Sequence, residues 1–227
     1  MSDLFKTYYE DDQATIYLGD CRAVLPALPE VDLVLSDPPC SDQTHKGARN
    51  EALETFIDFQ STTASEIAKT LELIKLKSWV VMFNDYKHAV KIEENPPKGL
   101  RGVRVGIWNK SNYTPQFTGD RPSQGWEAIS ILHKSDCKMR WNGGGKKSVY
   151  DAPREHGCQH PTQKPIKLVE QLILDFSNPG ELILDPFMGS GTTLLAAKNL
   201  GRKAIGIELE EKYCKIAAER LRQGVLF

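Results

Sequence analysis

Residues 181–193 read ELILDPFMGSGTT, and few chain arrangements accommodate them. The apolar run Leu182, Ile183, Leu184 has strand character and stops at Asp185. A tight segment carrying Gly189 and Gly191 follows, and 194–200 is helix-forming. Glycines let backbone N–H groups approach a ligand with no Cβ in the way, and a helix start adds partial positive charge. A second strand, 203–208, ends on Glu208, 17 residues beyond Gly191, where an acid can bond ribose hydroxyls. Strand, glycine turn, helix and strand-terminal acid together predict a βαβ unit with a nucleotide-type cofactor site.

The rest of the chain repeats that alternation. Residues 1–13 are polar and expected to be loosely held, 15–20 form a short strand ending at Asp20, and 21–28 a short helix. A Val- and Leu-rich strand, 31–36, terminates at Asp37-Pro38-Pro39-Cys40, because two prolines cannot continue a central strand. The weakly periodic stretch 41–60 reads as a lid; a helix at 63–76 follows, with Ile67, Leu71 and Ile74 on one face. Further strands are expected at 78–84, 103–108 and 127–133, and further helices at 86–94, 166–176 and 210–222. The closeness of 103–108 and 127–133 suggests an antiparallel pair at a sheet edge. Seven strands of this kind predict a doubly wound α/β sheet, in which ligands sit beyond the strand carboxyl ends. Asp20, Asp37, Asp185 and Glu208 all fall there, so four acids are expected to converge on one crevice.

Composition narrows the setting. The chain has 227 residues, 40% of them hydrophobic, which suits one α/β domain over 1–227. Its 29 basic and 30 acidic residues leave a net charge of −1, so a polyanion must be met by a local basic patch. The stretch 134–147 is such a patch, with Trp141 and Gly143-Gly144-Gly145 among its lysines and arginine. The five cysteines (21, 40, 137, 158, 214) are scattered and never spaced CxxC, so neither a disulfide framework nor a metal site is expected. A reducing cytoplasm, no membrane span and no export signal are the corresponding expectations.

Four motifs, DPPC at 37–40, HPTQKP at 160–165, DPFMGSGTT at 185–193 and GIELEEKY at 206–213, resemble those of the S-adenosylmethionine-dependent DNA amino-methyltransferases. Their order, with DPPC ahead of the cofactor loop, is similar to the permuted β-class. The resemblance covers about 15–221, and it is weakest at 41–60 and 110–159. It implies a Rossmann-like, doubly wound, mostly parallel seven-stranded sheet with an antiparallel edge strand, in circularly permuted methyltransferase order. It also implies S-adenosylmethionine as cofactor: Asp185, Pro186, Phe187, Gly189, Ser190, Gly191 and Thr192 around its methionine end, Glu208 on the ribose, Asp20 on the adenine amine, and Lys164 or Thr162 on the carboxylate. For Asp20, an N-cap of the following helix is an equal alternative.

DPPC carries a physical argument of its own. An exocyclic base amine is a poor nucleophile because its lone pair is delocalised into the ring, and acceptors aimed at its N–H groups favour the pyramidal, reactive form. Asp37 offers a carboxylate and Pro38 a carbonyl, while Pro38 and Pro39 restrict the backbone in advance. A base inside duplex DNA must be flipped out to reach them. Cys40 stands where the family usually has an aromatic, so Phe117, Trp126 or Tyr113 becomes the expected stacking face; Cys40 itself reads as a small thiol beside a turn. Arg121, Lys138, Arg140, Lys146 and Lys147 are the expected contacts to double-stranded DNA, from recognition loops at 41–60 and 110–159. An acid before PP is the adenine-N6 pattern of the family. N4-cytosine methylation is the alternative within the class, and a dinucleotide-dependent oxidoreductase the alternative outside it, although GxGxxG is absent after Asp185. RNA or protein acceptors, a catalytically inactive DNA-binding module and a homodimer stay open.

Overall fold

The computed structural model describes residues 5–39, 63–155 and 163–223. They form one nine-stranded sheet flanked by helices. In chain order the elements are β1 (Phe5–Glu10), β2 (Ala14–Gly19), α1 (Cys21–Val24), β3 (Val31–Ser36), α2 (Ala64–Glu72), β4 (Leu76–Asn84), α3 (Tyr86–Glu94), β5 (Leu100–Asn109), β6 (Trp126–Lys134), β7 (Val149–Asp151), α4 (Ile166–Phe176), β8 (Leu182–Asp185), α5 (Thr192–Asn199), β9 (Lys203–Glu208) and α6 (Glu211–Gln223). The strand order is β1-β2-β9-β8-β3-β4-β6-β5-β7.

The central strands β2, β9, β8, β3 and β4 are mutually parallel. Parallel sheets are covered on both faces, which is why β3 and β8 read as continuous apolar runs. On one face Leu33, Leu35 and Ile183 pack under Leu168, Leu172 and Ile173 of α4, Leu194 and Ala197 of α5, and Ala217 and Leu221 of α6. On the other, Val34, Val80 and Leu184 pack with Val24, Ile67, Leu71 and Ile92 of α1, α2 and α3. Helix starts coincide with capping residues: Thr63 and Glu66 form a reciprocal capping box on α2, and the Asp85 carboxylate accepts from two N–H groups of α3.

Seven strands are where they were expected, and two more exist. Residues 5–10, expected to be loosely held, pair antiparallel with β2 as an edge strand. The three-residue β7 pairs parallel with β5. The antiparallel pair β5 and β6 is present but is not the sheet edge, because β6 lies between β4 and β5 and β7 covers the outside. The first helix is shorter than expected: α1 ends at Val24 and continues as a 3-10 turn over Leu25–Ala27, which carries Pro26. Among the described residues no helix is long and apolar enough to cross a membrane.

Candidate active site

Because β2, β9, β8 and β3 are adjacent and parallel, Asp20, Glu208, Asp185 and Asp37 line up in that order along one end of the sheet. The four acids do different things there. Asp185 is 3% exposed. Its carboxylate accepts from Ser36 Oγ at 2.6 Å and from the Phe187 N–H at 3.1 Å, so it ties β3 to the glycine turn. Glu208 accepts from the Gly189 N–H at 3.0 Å and the Glu210 N–H at 2.8 Å, and burial pushes its carboxyl up. Asp20 caps α1 and is gripped by the Arg22 guanidinium, which holds its carboxyl below the ordinary range.

Burial pushes the Asp185 carboxyl up to about 6, against the pull of Ser36, Thr193 and the Phe187 N–H. Between its ordinary 3.8 and about 6 the folded chain therefore binds a proton that the unfolded chain does not, and the contribution of Asp185 to stability falls as pH rises through that window. Chemical denaturation of the wild type and Asp185→Asn should show the wild type gaining up to about 3 kcal/mol on the variant as pH is lowered from neutrality through this window.

The turn from β8 into α5 is held from three sides. Gly189 (φ 51°) and Gly191 (φ 78°) adopt left-handed backbone, and Gly191 starts α5 with no side-chain cap. Ser190 Oγ donates to Gln163 Oε1 at 3.0 Å, and Arg220 Nη1 on α6 donates to the Ser190 carbonyl at 2.6 Å and to Thr192 Oγ1 at 3.2 Å. Thr192 is buried beneath the turn, and Phe187 packs toward the α1–α2 face. Pro186 follows Asp185 directly in the turn.

Asp37 sits just beyond β3, and its neighbours are charged. Lys164 Nζ lies 2.5 Å from Asp37 Oδ2 and 3.4 Å from Glu127 Oε2, while Lys110 Nζ lies 2.6 Å from Glu127 Oε1. Dense surrounding protein pushes the Asp37 carboxyl up, although Lys164 pulls it down. Burial also acts to raise Glu127, but Lys164 and Lys110 outweigh it and hold that carboxyl low. Lys164 thus meets Asp37 where the cofactor carboxylate was expected. With Gln163 on Ser190, residues 163–164 bridge the DPP segment and the glycine turn. Pro38 continues from Asp37, and Pro39 leads out of the described region. Cys40, Thr162 and the stretch 41–60 lie outside the described residues.

Of the expected stacking aromatics, Trp126 is turned to Tyr86, at 6.3 Å between ring centroids, on the sheet face opposite Glu127. Tyr113 lies against Gly125, and Phe117 is 87% exposed. The aromatics that meet the charged row are instead Phe83, under Lys164 at 5.1 Å, and Trp108, under Lys110 at 4.8 Å.

The expected basic patch lies away from the crevice. Because β6 is antiparallel, the loop following it emerges at the amino end of the parallel strands, across the sheet from Asp37. There Lys138 and Arg140 line a cleft of about 360 Å³ with Asp32, Lys77, Trp79 and Phe176. Lys146 pairs with the buried Asp175 at 2.8 Å, and Lys147 is exposed on the same run. Arg121 differs: the loop between β5 and β6 returns at the crevice end, where Arg121 is exposed beside Asp120.

Sequence reading missed Glu127, Lys110 and Arg220. A lone acid at the head of the apolar strand 127–133 was the available signal for Glu127. Arg220, on a helix rich in charge, offered none.

The N6/N4 methyltransferase family model described as DNA methylase matches residues 31–219. The type II methyltransferase M.HinfI of Haemophilus influenzae is 30% identical over 262 residues, covering 97% of this chain and 71% of that protein. The type II methyltransferase M2.LlaDCHI of Lactococcus lactis subsp. cremoris is 28% identical over 260 residues, covering 98% and 94%. Among solved structures, the M1.HpyAVI–SAM complex superposes with a TM-score of 0.74 at 27% identity, covering 92% of this chain and 98% of that one.

Proposed function

The chain belongs to the N6/N4 DNA methylase family, and on that premise we propose that it methylates the exocyclic N6 amine of an adenine flipped out of duplex DNA. The observation that carries the reading is the placement of Asp37 and the glycine turn on the neighbouring parallel strands β3 and β8, clasped by residues 163–164. An acceptor for the amine and a cradle for the methyl donor then share one crevice. The order of β3 before β8 in the chain fits the permuted β-class.

The residues present suit S-adenosylmethionine. Left-handed Gly189 and Gly191 keep side chains away from the turn, the uncapped start of α5 offers N–H groups, and Glu208 is fixed by two backbone N–H groups with acceptor capacity left for ribose hydroxyls. When bound, the cofactor supplies an electrophilic methyl on a sulfonium. Asp37 accepts a hydrogen bond from the target amine and the Pro38 carbonyl accepts the second, drawing the nitrogen toward the pyramidal form. Asp185, committed to Ser36 and the turn backbone, acts as a brace for the turn. Phe83 and Trp108 lie buried beneath Lys164 and Lys110 and form the floor of the charged row.

One methyltransferase domain spans 1–227 in this reading, and the 110–125 loop with Arg121 faces the DNA. Arg121→Ala should reduce the salt dependence of DNA binding by about one phosphate contact, whereas Lys138→Ala/Arg140→Ala should leave it unchanged. Fluorescence anisotropy across a salt series checks both. Cytosine N4 is the alternative target. Digesting DNA methylated by the protein to nucleosides and weighing the modified base by mass spectrometry decides it: N6-methyladenine is expected, and N4-methylcytosine alone overturns the base assignment.

A further inference from the structure

We propose that Glu127 is a positioning residue that receives the Lys164 ammonium when Asp37 turns to the substrate amine. The inference rests on the reading of Asp37 as the amine's acceptor. Asp37, Lys164, Glu127 and Lys110 form a row of alternating charge, with side-chain exposures of 33%, 10%, 30% and 15%. The Lys164 ammonium takes a hydrogen-bonding place on Asp37 Oδ2, at 2.5 Å. A base amine needs to donate to that same carboxylate.

Lys164 cannot simply withdraw to solvent. Its side chain is nearly buried, and the Phe83 ring lies 5.1 Å from its ammonium. A buried cation that loses its carboxylate is left uncompensated, which is strongly unfavourable. Glu127 removes that obstacle. Its second oxygen already stands 3.4 Å from Lys164 Nζ, so a displacement of well under a side-chain length exchanges one carboxylate for the other. Lys110 holds the first oxygen at 2.6 Å, which fixes the direction of the second. Glu127 itself sits on β6, paired with Trp108 on β5, and its place is set by the sheet.

The charge row gives the role a signature in pH. Asp37 is faced by Lys164 from the segment before α4, by Glu127 from β6, by Lys110 from beyond β5 and by Asp185 from β8. Replacing Glu127 by Gln removes a repelling charge from Asp37 and one carboxylate from Lys164, so Asp37 titrates lower while its release from Lys164 becomes harder. The rate should fall, and the acid limb of its profile should move to lower pH. A loosened fold would lower the rate without that shift.

The test is single-turnover transfer of labelled methyl from S-adenosylmethionine to duplex DNA across the acid limb, with cofactor affinity measured by calorimetry. Glu127→Gln should slow transfer about tenfold or more with cofactor affinity within about twofold, as for loss of one partner of a buried charge pair. Glu127→Asp should recover most of the rate, and in a Lys164→Met background the further change to Gln should cost little. A wild-type rate in Glu127→Gln, a slowed rate with an unmoved acid limb, or equal loss in Glu127→Asp overturns the role. Asp37→Asn run alongside separates the two levels: activity there refutes the acceptor reading itself, whereas an inactive Asp37→Asn beside an unaffected Glu127→Gln refutes only the part given to Glu127.

Discussion

Asp37→Asn should lower the single-turnover rate of methyl transfer by about a thousandfold, the scale seen when one preorganised electrostatic contact to a reacting centre is removed. The amide keeps the shape and one weak acceptor but loses the charge that draws on the amine N–H. Cofactor binding should survive, because the turn is held by Ser36, Gln163, Glu208 and Arg220, and Asp37 is bonded to none of it. Stability at neutral pH should change little, since burial already disfavours the ionised Asp37 carboxyl and Lys164 retains Glu127 as a partner. The decisive combination is calorimetric affinity for S-adenosylmethionine close to wild type with transfer nearly abolished. A rate within about tenfold of wild type would remove Asp37 from the chemistry.

The strand-end register of the four acids was legible because it depends on short-range signals. A run of β-branched and Leu residues that stops at Asp, Pro or Gly marks both a parallel strand and its carboxyl end, and parallel strands put all such ends on one side. The edge strands were not legible for the converse reason. Residues 5–10 mix exposed Lys6, Thr7 and Glu10 with half-buried Phe5, Tyr8 and Tyr9, and β7 has three residues, so neither carries an apolar run to see. The side of the sheet on which the basic stretch lies was lost for a topological reason: nothing local in 127–133 tells whether β6 runs with or against β4, and that direction alone decides which end the following loop occupies.

The chemistry of the site was readable in part. DPP, the glycine turn and Glu208 are motif residues, each placed by its neighbours in sequence. Lys164 was singled out, yet its partner is 127 residues away and could be learned only from coordinates. The same holds for the bond from Arg220 to Ser190, which joins the last helix to the turn across 30 residues. Long-range pairs between charged residues leave no periodicity behind, so a single sequence names the participants of a site more readily than their pairings.

That coupling of α6 to the turn makes Gly191→Ala the second large effect. Gly191 lies at φ 78°, and a Cβ there would stand 2.6 Å from the Ala217 Cβ and 3.2 Å from its Cα. Left-handed backbone costs an alanine about 1–2 kcal/mol, and relieving the overlap costs about 1–3 kcal/mol more. For a chain of this length a melting temperature lower by about 4–20 °C follows. The overlap pushes α6 outward and takes Arg220 with it, so the Ser190 carbonyl loses its donor and the turn loses its shape. Affinity for S-adenosylmethionine should therefore drop about tenfold or more, while binding to DNA in the absence of cofactor stays near wild type. Ala217→Gly removes the atom that is struck. In that background Gly191→Ala should cost less stability and less cofactor affinity, leaving the part due to φ and the milder contact with the Cα of residue 217. Equal costs in both backgrounds would show that α6 does not press on the turn, and undiminished cofactor affinity in Gly191→Ala would show that the turn is not the cradle.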